Sequence, residues 1–132
     1  MMTEAILDTT FLIDLQRSHR NARNQQAIAW LKKNPNVILK IPSIVLGEFS
    51  AGFSDPSAPE IVTLEHQHEI LEVGVGAAKK YGRIYRSMKE NGNLIGGNDL
   101  WVAAIALEEN LPLVTRNVAH FERVDGLTVE SY

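Results

Sequence analysis

An α/β fold, with helices on both faces of a mostly parallel sheet, is the class this sequence predicts. Two observations carry it. Short apolar or β-branched segments alternate with helix-patterned segments along all 132 residues. The chain also has no repeats and no low-complexity tracts, and its 45% hydrophobic and 22% charged residues are ordinary for one globular domain. A single domain over 1–132 is therefore expected, long enough to bury a core without staples.

The elements follow in order. "EAILD" (4–8) is a short buried strand ending in an acid, and "TTFLIDLQR" (9–17) is a helix with Thr9 or Thr10 near its start. "QQAIAWLKK" (25–33) is helical, with Ile28, Trp30 and Leu31 apolar, and "NPN" breaks it. "VILKI" (37–41) is a strand. "PSIVLGEFSAGF" (42–53) opens with the helix-start residues Pro42 and Ser43, and Ile44, Val45, Phe49 and Phe53 fall at helical spacing. "DPSAPE" (55–60) is a loop; a helix covers Ile61 to His68, and "EILEV" (69–73) is a strand. Residues 76–92 form an amphipathic helix whose stripe is Tyr81, Ile84, Tyr85 and Met88. "GGNDLWVAAIAL" (96–107) is a turn followed by a wholly apolar helix, with Asn98 suited to the N-cap. "LPLVT" (111–115) is a strand, "VAHFERV" holds a short helical turn, and "LTVESY" (127–132) is the last strand.

Composition excludes several functions. With no cysteine there is no disulfide, thiolate metal site or Cys nucleophile, which fits a reducing compartment. No apolar run reaches membrane-spanning length, and "MMTEAILD" is not a secretory signal, so the cytoplasm is the expected location. A net charge of −3 argues against a general nucleic-acid coat, yet leaves room for an enzyme whose acids gather in one site. The cations Arg17, Arg20 and Arg23, and Lys79, Lys80, Arg83, Arg86 and Lys89, form two groups that read as solvated helix faces.

In open parallel sheets the site lies at the carboxyl ends of the strands, and this sorts the acids. Asp8 ends the first strand, where it can serve a site or cap the next helix. Glu48 sits within the apolar face of its helix between Leu46 and Phe49, and Asp99 opens the apolar helix. All three can converge on one rim. Asp14, Glu65, Glu108 and Glu109 read as solvent-facing, Glu60 as a first-turn acid, and Asp55 and Asp125 as turn residues. The four histidines are scattered, and the pair His66 and His68 faces different sides of a helix. Three carboxylates without a His or Cys partner are hard ligands suited to Mg²⁺ or Mn²⁺. Thr9, Ser43, Asn98 and Thr115 would supply neighbouring hydroxyl and amide contacts.

The blocks "ILDTTFLIDL", "IPSIVLGEF", "GGNDLWVAAIAL" and "LPLVTRNVAHFERVDGL" resemble the signature blocks of PIN-domain proteins, in order and over residues 6–127. The resemblance is nearest to the VapC-type toxins of toxin–antitoxin pairs. It implies a three-layer α/β/α sandwich with the first strand central, a Mg²⁺- or Mn²⁺-dependent endoribonuclease, a homodimer, and an antitoxin that blocks the site. Motif by motif it carries the catalytic and metal-binding acids to Asp8, Glu48 and Asp99. A further acid common in such proteins is absent: Asn117 and His120 stand at the two places where it would occur.

The expected function is metal-dependent cleavage of RNA phosphodiester bonds. Thr115 and Asn117 complete the rim, and Arg116 and the Arg17–Arg23 group hold phosphates. The aromatics Phe49, Phe53, Tyr81 and Tyr85 support a dimer face. Two alternatives stand beside this. One is a PIN-like scaffold that binds RNA or a partner without cutting. The other is a phosphatase or phosphotransfer protein with Asp8 as nucleophile, against which "LDTTF" lacks a second acid two residues on.

Overall fold

The computed structural model describes residues 2–23 and 25–132. Among them, five strands form one sheet: β1 (Glu4–Leu7), β2 (Ile38–Pro42), β3 (Glu69–Leu71), β4 (Leu113–Thr115) and β5 (Val129–Ser131). The spatial order is β3-β2-β1-β4-β5, and all four pairings are parallel. The first strand is therefore central, as the resemblance implies. β1 pairs Ile6 with Lys40 of β2 on one side and with Leu113 of β4 on the other. Consecutive side chains of a strand point to opposite faces. Ala5, Ile6 and Leu7 are all buried, and so are Leu113, Val114 and Thr115, so both faces of the sheet are covered there. At the sheet's other end, Lys40 of β2 bridges Glu4 of β1 and Glu69 of β3 at 3.4 and 3.1 Å.

Seven helices flank the sheet: α1 (Thr9–Ser18), α2 (Gln26–Lys33), α3 (Ser43–Ser50), α4 (Pro59–Gln67), α5 (Val75–Glu90), α6 (Gly97–Glu109) and α7 (Val118–Phe121). The predicted elements all occur, with ends shifted by a few residues. No helix among the described residues is long and apolar enough to cross a membrane.

The apolar run after Asp99 is explained by α6. Leu100 and every residue from Val102 to Ala106 is essentially inaccessible. Three of them are alanines, which let neighbouring elements approach closely. Trp101 is half-buried under Tyr81 of α5, with ring centroids 3.9 Å apart, and Tyr81 stacks in turn on Tyr85. Lys80 of α5 meets Glu108 of α6 at 2.7 Å. The two helices are thus antiparallel, which sets the end of α5 beside the start of α6. Asn110, in the left-handed conformation at φ 55°, closes α6.

Three expectations are corrected. Asn98 is not the N-cap of α6: Gly96 is extended (φ −60°, ψ 153°) and takes that position without a side-chain bond, so the helix already includes Gly97 and Asn98. Asp14 does not face solvent but is 4% exposed. Phe49 belongs to the core and not to a dimer face. Phe49 is 6% exposed, and Phe53, Tyr81 and Tyr85 pack partly buried against the same core.

Candidate active site

The chain builds β1, β2 and β3 outward on one side and then crosses β1 to build β4 and β5 on the other. The carboxyl ends of β1 and β4 therefore flank a topological switch point, where parallel sheets place their ligand crevices. Asp8 follows β1 and Thr115 ends β4.

Asp8 is 5% exposed and has two occupations at once. It is the N-cap of α1: its Oδ1 accepts the Phe11 backbone N–H at 3.2 Å and the Thr10 hydroxyl at 2.6 Å. Its Oδ2 accepts the hydroxyl of the fully buried Thr115 at 2.6 Å. Burial pushes the Asp8 carboxyl above its ordinary value; the bonds from Thr10, Thr115 and the Phe11 N–H pull it down without prevailing, and the negative charge of Asp99 adds to the rise. A cation in the cleft would reverse that balance. With both oxygens held by donors, Asp8 is badly presented as a nucleophile, which disfavours the phosphotransfer reading.

Glu48, on α3, is exposed but turned toward α1, where its Oε1 accepts the Thr9 hydroxyl at 2.7 Å. Asp99 lies in the first turn of α6 and is half-buried. Its Oδ2 is 2.8 Å from Nε2 of His120 on α7. The three carboxylates share one cleft of about 230 Å³ with Thr9, Thr10 and the side chain of Asn117; Ile13 and Val102 form its apolar wall. Asn117 heads α7 without a side-chain capping bond, and its backbone N–H donates to Thr115 Oγ1 at 3.0 Å.

The remaining expected contacts fall elsewhere. Ser43 opens α3 and Asn98 is exposed, and neither lines the cleft. Arg116 is committed to Asp14, both of whose oxygens it meets at 2.9–3.0 Å, and the Tyr132 hydroxyl donates to Asp14 at 2.7 Å. That pair of donors explains how Asp14 can be buried. Burial, with Asp14 as a further cause, pushes the Tyr132 hydroxyl far above its ordinary value.

One contributor was missed and one was left open. Thr10 is marked in the sequence only as a helix-start residue. His120 has one signal, its place beside the phenylalanine of "AHF", where related patterns carry an acid.

The donor set is chemically apt for a hard divalent ion: oxygen ligands in a partly desolvated cleft. Glu48 Oε2 and Asp99 Oδ1 carry no hydrogen bond among the described residues. The present side-chain positions nevertheless do not close around an ion. Among the described residues no three Asp, Glu, His or Cys side chains form a group that could hold one. The expected convergence is thus met at the level of a common cleft only.

A family model described as PIN domain matches residues 5–127. The chain belongs to the PIN-domain family. Ribonuclease VapC2 of Rickettsia felis is 28% identical to it over 96% of both chains. The crystal structure of VapBC2 from Rickettsia felis, bound to a DNA fragment from its promoter, superposes with a TM-score of 0.80 at 27% identity, covering 98% of this chain and 99% of that one. VapBC-5 of Mycobacterium tuberculosis, a member of the VapBC family of toxin–antitoxin systems, gives a TM-score of 0.66 at 27% identity over 98% and 97%. The PIN domain accounts for the parallel sandwich, and it makes the carboxylate cleft at the β1–β4 switch point the place to look for its chemistry.

Proposed function

We propose that this PIN-domain chain is a metal-dependent endoribonuclease, the toxin of a toxin–antitoxin pair. The observation that carries this reading is the cleft that brings Asp8, Glu48 and Asp99 together with Asn117. Relatives named ribonuclease and neighbours solved as VapBC complexes support the substrate class and an antitoxin partner.

Asp8, Glu48 and Asp99 would hold Mg²⁺ or Mn²⁺, which supplies charge neutralisation at the scissile phosphate and acidifies a bound water. The chain's own residues prepare that site. Thr10, Thr115 and the Phe11 N–H fix both oxygens of Asp8. Thr9 turns Glu48 over the cleft, His120 holds one oxygen of Asp99, and Asn117 offers an amide to the substrate. Substrate phosphate adds charge to a cluster that is already negative, so RNA and cation should bind with mutual support.

The test is incubation of the purified chain with total cellular RNA, with and without Mg²⁺, and mapping of the new ends. Asp99→Asn keeps size and polarity and should leave a folded protein that does not cut. Full cleavage by that variant would return Asp99 to a purely structural role. The resemblance also implies a homodimer; a monomeric mass by light scattering at high concentration refutes that part alone.

A further inference from the structure

The described chain is acidic overall, yet one of its faces is not. Lys79, Arg83, Arg86 and Lys89 recur along the exposed side of α5 at helical spacing. Lys80 is the α5 cation that finds a carboxylate, on Glu108. Among the described residues Lys79, Arg83, Arg86 and Arg123 make no ion pair. A solvated face predicted from sequence would carry both signs; here the stripe contains four cations before Glu90.

At its C-terminal half this stripe borders a groove of about 260 Å³. Arg83 and Ser87 of α5, Arg123 and Asp125 line it, with Ile84 and Met88 supplying its apolar surface. Asn93 also lines the groove, and its side-chain oxygen is fully buried without a hydrogen-bond partner. A buried amide left unpaired costs free energy unless something completes it.

Two short chain segments connect the groove to the catalytic cleft. Arg123 comes three residues after His120, the side chain that touches Asp99, just past the end of α7. Asn93 lies four residues before Gly97, where α6 begins and carries Asp99 in its first turn. The antiparallel packing of α5 on α6 brings the end of the basic stripe to that same edge.

We propose that the α5 stripe and the Arg83–Arg123 groove form a track for the RNA strand flanking the cut, with the two guanidinium groups on phosphates and Ser87 and Asn93 facing a base edge or ribose hydroxyl. Guanidinium forks match phosphate oxygens, and contacts of this kind position a nucleic acid without reading its sequence. This rests on the ribonuclease reading above and says where its substrate continues outside the cleft.

The experiment measures binding apart from cleavage. In an Asp99→Asn background, a fluorescein-labelled 20-nucleotide single-stranded RNA is titrated by anisotropy between 0.1 and 1 M salt, with and without the added pair Arg83→Ala and Arg123→Ala. Each single-strand phosphate contact contributes about 0.7 to the slope of log K against log salt. Losing two should flatten the slope by about 1.4, a loss of about 25-fold at 0.1 M relative to the convergence near 1 M. Arg83→Lys with Arg123→Lys should restore most of the slope, which a merely structural role would not. Unchanged slope and affinity in the alanine pair would overturn the track, as would no RNA binding by the Asp99→Asn parent. So would loss of binding to a labelled polyglutamate peptide with RNA binding intact, which would make the groove a protein-docking face. Cleavage by the parent sequence is scored separately: if it cuts RNA and the slope does not change, only the track falls; if it cuts nothing, the ribonuclease reading falls.

Discussion

Thr115→Val replaces the one wholly buried hydroxyl that joins the two halves of the site. Thr115 Oγ1 donates to Asp8 Oδ2 at 2.6 Å and accepts the Asn117 N–H. A hydrogen bond to a charged group is worth roughly 1.5–3 kcal/mol. A methyl in the same dry position recovers about 1 kcal/mol of apolar burial, and the Asn117 N–H, on an exposed residue, can turn to water. The net loss is therefore about 0.5–2 kcal/mol, or roughly 2–8 °C in Tm for a chain of this size. The pH dependence is the sharper signature. Asp8 is held above its ordinary value, and the Thr115 bond is one of the influences pulling it down. Removing that bond raises the folded-state value further. Whatever stability Asp8 lends through its proton is present below its unfolded value of 3.8 and is lost as pH rises through the folded one. The variant should lie closest to the parent at low pH and fall away from it as pH rises from 4 toward 8. Thermal melts of metal-free protein at both pH values, with Thr115→Ser as the control that keeps the hydroxyl, decide it. An equal Tm loss at pH 4 and pH 8, or no loss at pH 8, would refute this account of the Asp8 environment.

Further outcomes are expected from the same geometry. Asp8→Asn should melt higher than the parent at pH 8 without metal, with the gap closing toward pH 4, because it removes a desolvated charge while Asn retains the cap to Phe11. Millimolar Mg²⁺ should raise the Tm of the parent and not of Asp8→Asn; a parent melt indifferent to metal counts against a metal site. Asn117→Asp adds a fourth carboxylate to the cleft and should tighten Mg²⁺ at least tenfold by calorimetry, equivalent to about 1.4 kcal/mol, and equal affinities would place residue 117 outside the site. Arg116→Ala strips the buried Asp14 of its cation. Since Arg116 is 57% exposed and partly screened, about 1–2 kcal/mol of stability should be lost in chemical denaturation.

The alternation of apolar segments with amphipathic ones was enough to read every strand and helix, because each is defined by its own short-range pattern. Asp8, Glu48 and Asp99 were legible for a related reason: each breaks an apolar pattern at or near the end of an element, and the strand-end rule points them to one rim. Asp14 was misread because its burial is made possible by Arg116 and Tyr132, 102 and 118 residues away. The role of His120 was left open because its local pattern does not reveal its partner Asp99, 21 residues away on the other side of β4. The cap was placed two residues late for a local reason. Of two adjacent glycines, the first took the extended cap conformation, so the helix began before the residue best suited to cap it.

The crossing of the chain over β1 has a consequence in time. Asp8 and the hydroxyl that anchors it are 107 residues apart, and Asn117 and His120 come later still. At about 5–20 residues per second of synthesis, roughly 5–20 s separate the appearance of the first site residue from that of its anchor. For most of that interval β1 has β2 to pair with but no β4, and Asp99, once made, has no His120. A growing chain therefore carries its acids without a working cleft until the last strands arrive, which leaves a window for an inhibitor made alongside it to be waiting.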